Sequence, residues 1–513
     1  MPQKKAKDLI TFKRLDLVVR YLYAKDILAR CGNNDILSLY KRNCLMRTGG
    51  IEPVNEHGIS VKNSIGDYIT QFKELIASLQ EKGYDKNYPI PMQTNGCLAN
   101  GAHRIAAAAA LEMDVEVQYV ERGWKIDFDW FVENGFSTED KMRILKGFVD
   151  IHPENCAIIV VWNPCFKYLG HINAFIKEDL EIVGEIELDF EDNYIAFTNA
   201  LLDIYEPNGA WTKNPVNETI IKKSELLQSH YLSFKVIVVT NQGKSNDKDI
   251  HEITVKIKEK VRNFIDSADT SLPSKIFATL HTSANIHECQ YLSSVLLSPN
   301  NIKHLKMRLG YIYESNFLKY CANLKTICKE HGISLNDICV IGSSVLSVFG
   351  INAKDIDFTT KYHLRAQLGD KARPLGEGVD IANKGAEIVM PNGENINDDL
   401  LVDCCEYHFL FNGLKFTNLD VIKYKKTLSR RDKDLFHLRQ IGLFENLMGR
   451  FEQQRIFKER VMAELKRRGE GKGFLSTLIG TGMFPRWLGL LIACFIPKKK
   501  NRQRFLAKFV RDK

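Results

Sequence analysis

The sequence predicts a multidomain chain of α/β and α+β type, and three observations carry that expectation. Its 513 residues exceed what one domain usually holds, so two to four are expected. Short apolar runs of strand length alternate with amphipathic runs of helix length. The composition, 44% hydrophobic and 26% charged, is that of globular proteins. Shifts in pattern divide the chain into segments 1–150, 151–309, 310–445 and 446–513.

Charge and cysteine usage narrow the function classes. The net charge is +8, but it belongs to one end. Residues 451–513 hold 16 Lys and Arg against 5 Asp and Glu, leaving 55 against 58 elsewhere. A near-neutral body gives no reason to expect a nucleic-acid surface. Twelve cysteines are scattered without a Cys-x-x-Cys pair, and adjacent Cys404 and Cys405 form neither a zinc nor a redox signature. Reduced thiols in a cytoplasm are expected. The charged start, Met1 to Asp8, leads into no long apolar run, so no signal peptide is read there.

In the first segment, Leu15 to Leu28 and Asp67 to Glu81 read as amphipathic helices, and Val115 to Val120 as an alternating strand. Between them lies Gly101-Ala-His-Arg-Ile-Ala-Ala-Ala108, a glycine entering a helix whose first turn holds His103 and Arg104. Helix N-terminus, Arg and His together suit an anion. The alanine run suits close packing on a sheet. This stretch resembles the ParB/sulfiredoxin-type domain, marked by Gly-x-His-Arg before an alanine-rich helix. The resemblance implies that Gly101, His103 and Arg104 hold a nucleotide phosphate. Asn100 stands where that family usually has an acid, so no catalytic acid is expected there.

The middle segment alternates strands (Cys156 to Trp162, Glu181 to Leu188, Phe234 to Thr240, Phe277 to Asn285) with helices. It reads as a central α/β layer of unassigned role. Ligands in such layers sit beyond strand ends, where His281, Ser283, Asn285 and Glu288 fall. Lys258 and Arg262, one helical turn apart, are placed to face an anion, although a solvated helix face fits them as well.

The third segment carries the strongest signal. Ile338 to Ile341 is an apolar strand, Gly342-Ser343-Ser344 a small-residue turn, Val345 to Phe349 a short helix, and the next strand holds Asp355 and Asp357. Carboxylates two apart on a strand share a face and repel unless a cation lies between them. The Gly-Ser turn offers N–H groups and hydroxyls to phosphate oxygens. This ordered set resembles the nucleotidyltransferase fold of polymerase-beta type, over residues 310–445. The resemblance implies Mg²⁺ (or Mn²⁺) on Asp355 and Asp357, and a nucleoside triphosphate or nucleotide-activated donor on Gly342, Ser343 and Ser344. It also implies a third carboxylate on a later strand. Leu400 to Cys404 reads as strand, so Asp403 is preferred, with Asp399 and Glu406 as alternatives. Residues 376–381 read as part of a stretch covering the site. Lys423, Lys426 and Arg430, on a basic helix after the Asn412-Gly413 hairpin turn, are candidate phosphate contacts.

The last segment holds a charged helix and then Phe474 to Ile496, largely apolar but broken by Pro485-Arg486. Lys498 to Arg504 follow as a basic cluster. An apolar wedge beside basic residues suits attachment to an anionic membrane surface. A helix packed on protein and a full span are the alternatives.

The expected function is therefore a Mg²⁺-dependent transferase at the inner face of the cytoplasmic membrane. It would use a nucleotide and a glycan or lipid-linked acceptor in bacterial surface-polysaccharide assembly. The alternative is a nucleotide-binding regulatory or nucleic-acid-associated ParB-like protein whose transferase segment is degenerate.

Overall fold

Among the described residues, three sheets of three or more strands, with helices between their strands, set the plan. The computed structural model describes residues 2–446 and 449, apart from 52–61, 192, 228–230, 244–248, 270–278, 309, 311–312, 314, 352–353, 365–373, 383–387 and 447–448. Residues 1–437 form one compact unit. The second unit, 438–513, is described only at its helical start, so the expected membrane-surface segment lies outside the described residues. Among the described residues no helix is long and apolar enough to cross a membrane.

The first part is α+β. Helices α1 (Asp16–Ala29), α2 (Asn34–Arg47) and α3 (Ile65–Lys82) lie between the first and second strands of a small sheet. Its strands β1 (Gln3–Lys5), β2 (Ile90–Met92) and β3 (Asp114–Tyr119) lie in the order β1-β3-β2. Helix α3 starts where the sequence supplies a reciprocal cap. The Ser64 hydroxyl accepts the Asp67 N–H, and the Asp67 carboxylate accepts the Ser64 N–H. The alanine helix, α4 (Ala102–Ala110), packs chiefly on α1, with less contact to the sheet the sequence suggested. Helices α5 (Phe128–Glu133) and α6 (Thr138–Ile151) lead into the next part.

The middle part alternates strands and helices as its pattern suggested, and its sheet is antiparallel. Strands β4 (Cys156–Trp162), β5 (Glu181–Asp189), β6 (Ser233–Thr240) and β7 (Leu280–Thr282) lie in the order β5-β6-β4-β7. Every pairing is antiparallel. The reason is in the connections. Helix α7 (Leu169–Asp179) carries the chain from β4 past β6 to β5, and α10 (Ile250–Ala268) carries it from β6 past β4 to β7. Between them, α8 (Tyr194–Ile204) and α9 (Asn214–Leu227) replace a simple hairpin. Ile159, Val161, Ile237 and Val239 on one face pack under Ile172 and Ile176 of α7 and Ile253, Ile257, Val261 and Ile265 of α10. Burying such a side chain contributes about 1.5–3 kcal/mol each, before ordering costs. Helices α11 (Ile286–Leu296) and α12 (Pro299–Met307) complete this part.

The third part follows α13 (Ser315–Glu330). Its six strands are β8 (Ile338–Ile341), β9 (Ile356–Thr360), β10 (Pro374–Gly376), β11 (Val379–Ile381), β14 (His408–Phe411) and β15 (Leu414–Thr417). They lie in the order β10-β11-β9-β8-β15-β14, a mixed sheet. A separate pair, β12 (Ile388–Val389) and β13 (Asn395–Ile396), precedes α14 (Asp398–Asp403). The final helix of this part is α15 (Leu419–Ser429). As expected, Asn412 and Gly413 turn the β14–β15 hairpin, both with positive φ.

One expectation fails here. Leu400 to Cys404 is not a strand. The Asn397 side chain accepts the Leu400 N–H at 2.8 Å, and Asp398 and Asp399 occupy the first turn of α14. An Asn cap followed by two acids starts a helix.

The first and third parts share buried contacts. Cys31 packs with Ile388, Ile396, Leu401, Val402, Tyr407 and Val421. The Tyr407 hydroxyl lies 2.8 Å from Cys31 Sγ and donates to Glu394 at 3.2 Å. Arg143 Nε donates to Glu406 at 2.8 Å.

Candidate functional site

The site in the third part is built on one turn. The chain leaves β8 at Gly342 with φ +71°, a left-handed conformation that suits glycine. A Cβ there would lie 2.8 Å from Asp357 Oδ2. Gly342 is therefore needed twice, for its backbone and for the space it leaves beside an acid. The following residues, Gly342–Phe349, form tight helical turns ending at left-handed Gly350.

Two serines in that turn have different tasks. Ser344 is fully buried, and its hydroxyl donates to Ile341 O at 3.0 Å while accepting the Asp357 N–H at 2.9 Å. It latches the turn to β9, and the Ser344 hydroxyl is engaged within the protein. Ser343 is half-buried and makes no hydrogen bond among the described residues. Its hydroxyl remains available to a ligand.

Three carboxylates meet beside the turn. Asp357 lies on β9 opposite Ile341, and Asp355 stands one residue ahead of the strand. On the other side, β11 runs parallel to β9 with Asp380 in register with Asp357. Register partners on neighbouring strands share a face. Burial pushes the Asp357 carboxyl above its ordinary range, and the charges of Asp355 and Asp380 push it further. Lys433 and Lys426 pull it the other way.

Asp380, rather than Asp403, lies on the strand next to Asp357. Asp403 ends α14, is 56% exposed at its side chain, and pairs with Lys361 at 2.9 Å. Lys361 follows the far end of β9, four residues and roughly 13 Å along the strand from Asp357. The alternatives are engaged elsewhere too. Asp399 accepts the Tyr362 N–H at 2.8 Å, and Glu406 pairs with Arg143. The sequence did carry a sign of Asp380. Val379-Asp380-Ile381 is apolar-polar-apolar, a strand with one polar face.

Facing Gly342 is a cleft of about 290 Å³, lined also by Ile422, Lys425, Lys426, Ser429, Arg431 and Asp434. Burial pulls the amines of Lys425 and Lys426 below their ordinary range, and Asp434 partly opposes this for Lys426. Lys426 Nζ lies 3.2 Å from Asp434 Oδ1 and 3.0 Å from His437 Nδ1. Asp434, 0% exposed, also accepts from Ser429 Oγ at 2.7 Å and Arg431 Nε at 2.6 Å. Burial opposes its charge, but hydrogen bonds from Arg431, Ser429 and Lys426 prevail and hold it well below the carboxylate range. Of the expected cations, Lys426 lines the cleft and Lys423 and Arg430 do not. Arg430 is the left-handed cap of α15, with Nε on Thr427 O at 3.2 Å.

The Gly-His-Arg stretch of the first part is arranged differently. Gly101 is left-handed (φ +88°) at the start of α4, and its N–H donates to Asn100 Oδ1 at 2.7 Å. His103 Nε2 lies 2.9 Å from the Tyr40 hydroxyl, and its ring packs edge-on to Phe72. Burial holds it well below the ordinary histidine pKa, helped by Arg20, Lys62 and Arg47. Arg104 Nη1 donates to Tyr88 O at 2.6 Å. The two side chains turn to different partners.

An oxygen-only donor set of mutually repelling carboxylates is what a hard divalent cation fits. Among the described residues, no three acidic, His or Cys side chains already stand at metal-holding distances. No protein-family model matches the chain, and no curated protein or solved structure matches it significantly.

Proposed function

We propose that the third part is a nucleotidyltransferase-type active site. The observation that carries this is the in-register pair Asp357–Asp380, with Asp355 beside it, set against the left-handed Gly342 turn and a lysine-lined cleft. Asp355, Asp357 and Asp380 would hold Mg²⁺, which supplies charge neutralisation and orientation of the phosphoryl oxygens.

The chain's own groups then have separable tasks. Gly342 and Ser343 receive a phosphate of the donor, with no side chain obstructing the turn. Lys425, Lys426 and Arg431 meet the negative charge that grows on the departing pyrophosphate. Asp380 takes the proton of an acceptor hydroxyl as the acceptor oxygen bonds to the α-phosphorus and the bond to pyrophosphate breaks. The acceptor we propose is a hydroxyl of a surface glycan or its lipid-linked precursor. That choice is supported by the basic, apolar tail of the sequence alone.

Calorimetry with nucleoside triphosphates, with and without Mg²⁺, tests the reading. Mg²⁺-dependent binding in the wild type that disappears in Asp355→Asn/Asp357→Asn is expected. Equal binding by both proteins would remove the assignment.

A further inference from the structure

The lysine-lined cleft contains an acid that the proposed chemistry leaves unused. Asp434 is fully buried, yet it lines the same cleft as Gly342. A carboxylate in the wall of an anion site repels the anion unless its charge is taken up by other groups. Here it is taken up. Arg431 closes a fork on it, with Nε 2.6 Å from Oδ2 and Nη2 3.5 Å from Oδ1. Ser429 Oγ donates to Oδ2 at 2.7 Å, and Lys426 Nζ to Oδ1 at 3.2 Å. All three donor residues line the cleft too.

Asp434 does not exhaust these donors. An ammonium carries three N–H groups. Lys426 gives one to Asp434 and one to His437 Nδ1, 3.0 Å away, which leaves one for a ligand. A guanidinium carries five N–H groups, and the fork to Asp434 uses two of Arg431's. The Arg431 side chain is 63% exposed, so the others are reached from solvent. Asp434 also helps to keep Lys426 charged. Burial lowers the Lys426 amine, the bond to Asp434 opposes this, and Arg431 and Lys433 add to the lowering.

We infer that Asp434 and His437 are positioning residues: Asp434 fixes Lys426 and Arg431 on the two oxygens of one carboxylate, His437 steadies Lys426, and the pair of cations receives two linked phosphoryl groups. The choice of anion rests on the transferase reading. The positioning needs no metal, so it is tested apart from the aspartates that would hold one. Charge and positioning predict opposite signs. If Asp434 acted only through its charge, Asp434→Asn would tighten anion binding. As a positioning residue its loss weakens binding, because an amide turns an N–H group toward donors that need an acceptor.

The test uses the full-length protein in EDTA, titrated by calorimetry with inorganic pyrophosphate and with orthophosphate. Wild type should prefer pyrophosphate. Asp434→Asn should weaken pyrophosphate binding by about tenfold or more, the scale of one charge-assisted hydrogen bond, and lose most of that preference. Asp432→Asn removes the same charge at an exposed position two residues away and should bind at least as tightly as wild type. Should Asp434→Asn fail to fold, His437→Phe keeps a ring, removes the acceptor, and should weaken binding by about threefold, the scale of one ordinary hydrogen bond. Acylation of the Lys426 amine without ligand, read by mass spectrometry, should be slow in wild type and faster in both variants. The inference is overturned if the folded variant binds pyrophosphate as well as wild type or better, or if Lys426 reacts no faster in it. It is also overturned if wild type shows no preference for pyrophosphate. Equal Mg²⁺-dependent nucleotide binding by wild type and Asp355→Asn/Asp357→Asn, with the EDTA results as expected, would remove the transferase reading and leave the positioning standing.

Discussion

Gly101 and Gly342 begin two turns that look alike in sequence: a left-handed glycine, then a helical segment. Their surroundings diverge. After Gly101, His103 turns to Tyr40 and Arg104 to the Tyr88 carbonyl, so each side chain already has a partner within the protein. After Gly342, Ser343 is left without a partner among the described residues, Asp357 meets two further carboxylates, and lysines line the opposing wall. The difference teaches that a glycine motif specifies a backbone path. Whether that path serves a ligand depends on what remains unsatisfied around it.

The sharpest way to break this comparison is at Asp357. Asp357→Asn should lower the proposed transferase turnover by at least about 100-fold, the scale of losing a group that positions transition-state charge. The same change should leave the melting temperature equal or higher, because Asp357 is repelled by Asp355 and Asp380. Its raised folded-state pKa means that protonation stabilises the fold, so its contribution improves as pH falls from neutral. A thermal scan beside an assay of pyrophosphate release separates the two effects.

Backbone substitution comes next. Gly342→Ala should cost about 1–3 kcal/mol from the positive φ and displace Asp357, abolishing Mg²⁺-dependent nucleotide binding. Gly101→Ala should carry a similar folding cost and leave that binding unchanged. Loss of nucleotide binding in Gly101→Ala, measured on protein that still melts cooperatively, would reverse the two regions' roles. Ser344→Ala should cost about 1–3 kcal/mol in denaturant unfolding, since it leaves the buried Asp357 N–H without an acceptor.

Acid should act on the first part with the opposite sign. Burial disfavours the charged form of Asp16, but Arg14 and Arg20 prevail and hold its pKa down to about 2. That stability is complete above the unfolded pKa of 3.8 and is lost as pH falls toward 2, about 2 kcal/mol in all. Asp16→Asn should flatten this part of the pH–stability curve. The smallest effect is expected for Arg104→Ala, roughly 1 kcal/mol or less from one lost hydrogen bond, with nucleotide binding intact.

Much of this was legible because local chemistry decides it. The Gly342 turn, the strands on either side of it and the Asn412-Gly413 hairpin follow from apolar period and φ requirements that neighbouring residues settle. Asp380 was not legible as a partner of Asp357, because their register is fixed by a parallel pairing across a long connection. Asp403 misled because the apolar letters around it fit a strand, whereas the Asn397 cap selects a helix.

The contacts of Cys31 and Tyr407 have a practical consequence. The three parts are consecutive in sequence, yet cutting the chain near residue 150 or 309 would strip a cover from Ile388, Ile396, Leu401 and Val402. It would also leave Glu406 without Arg143. A fragment holding the third part alone would expose an oily surface and aggregate. Limited proteolysis should therefore yield nicked molecules whose pieces stay together rather than separable domains.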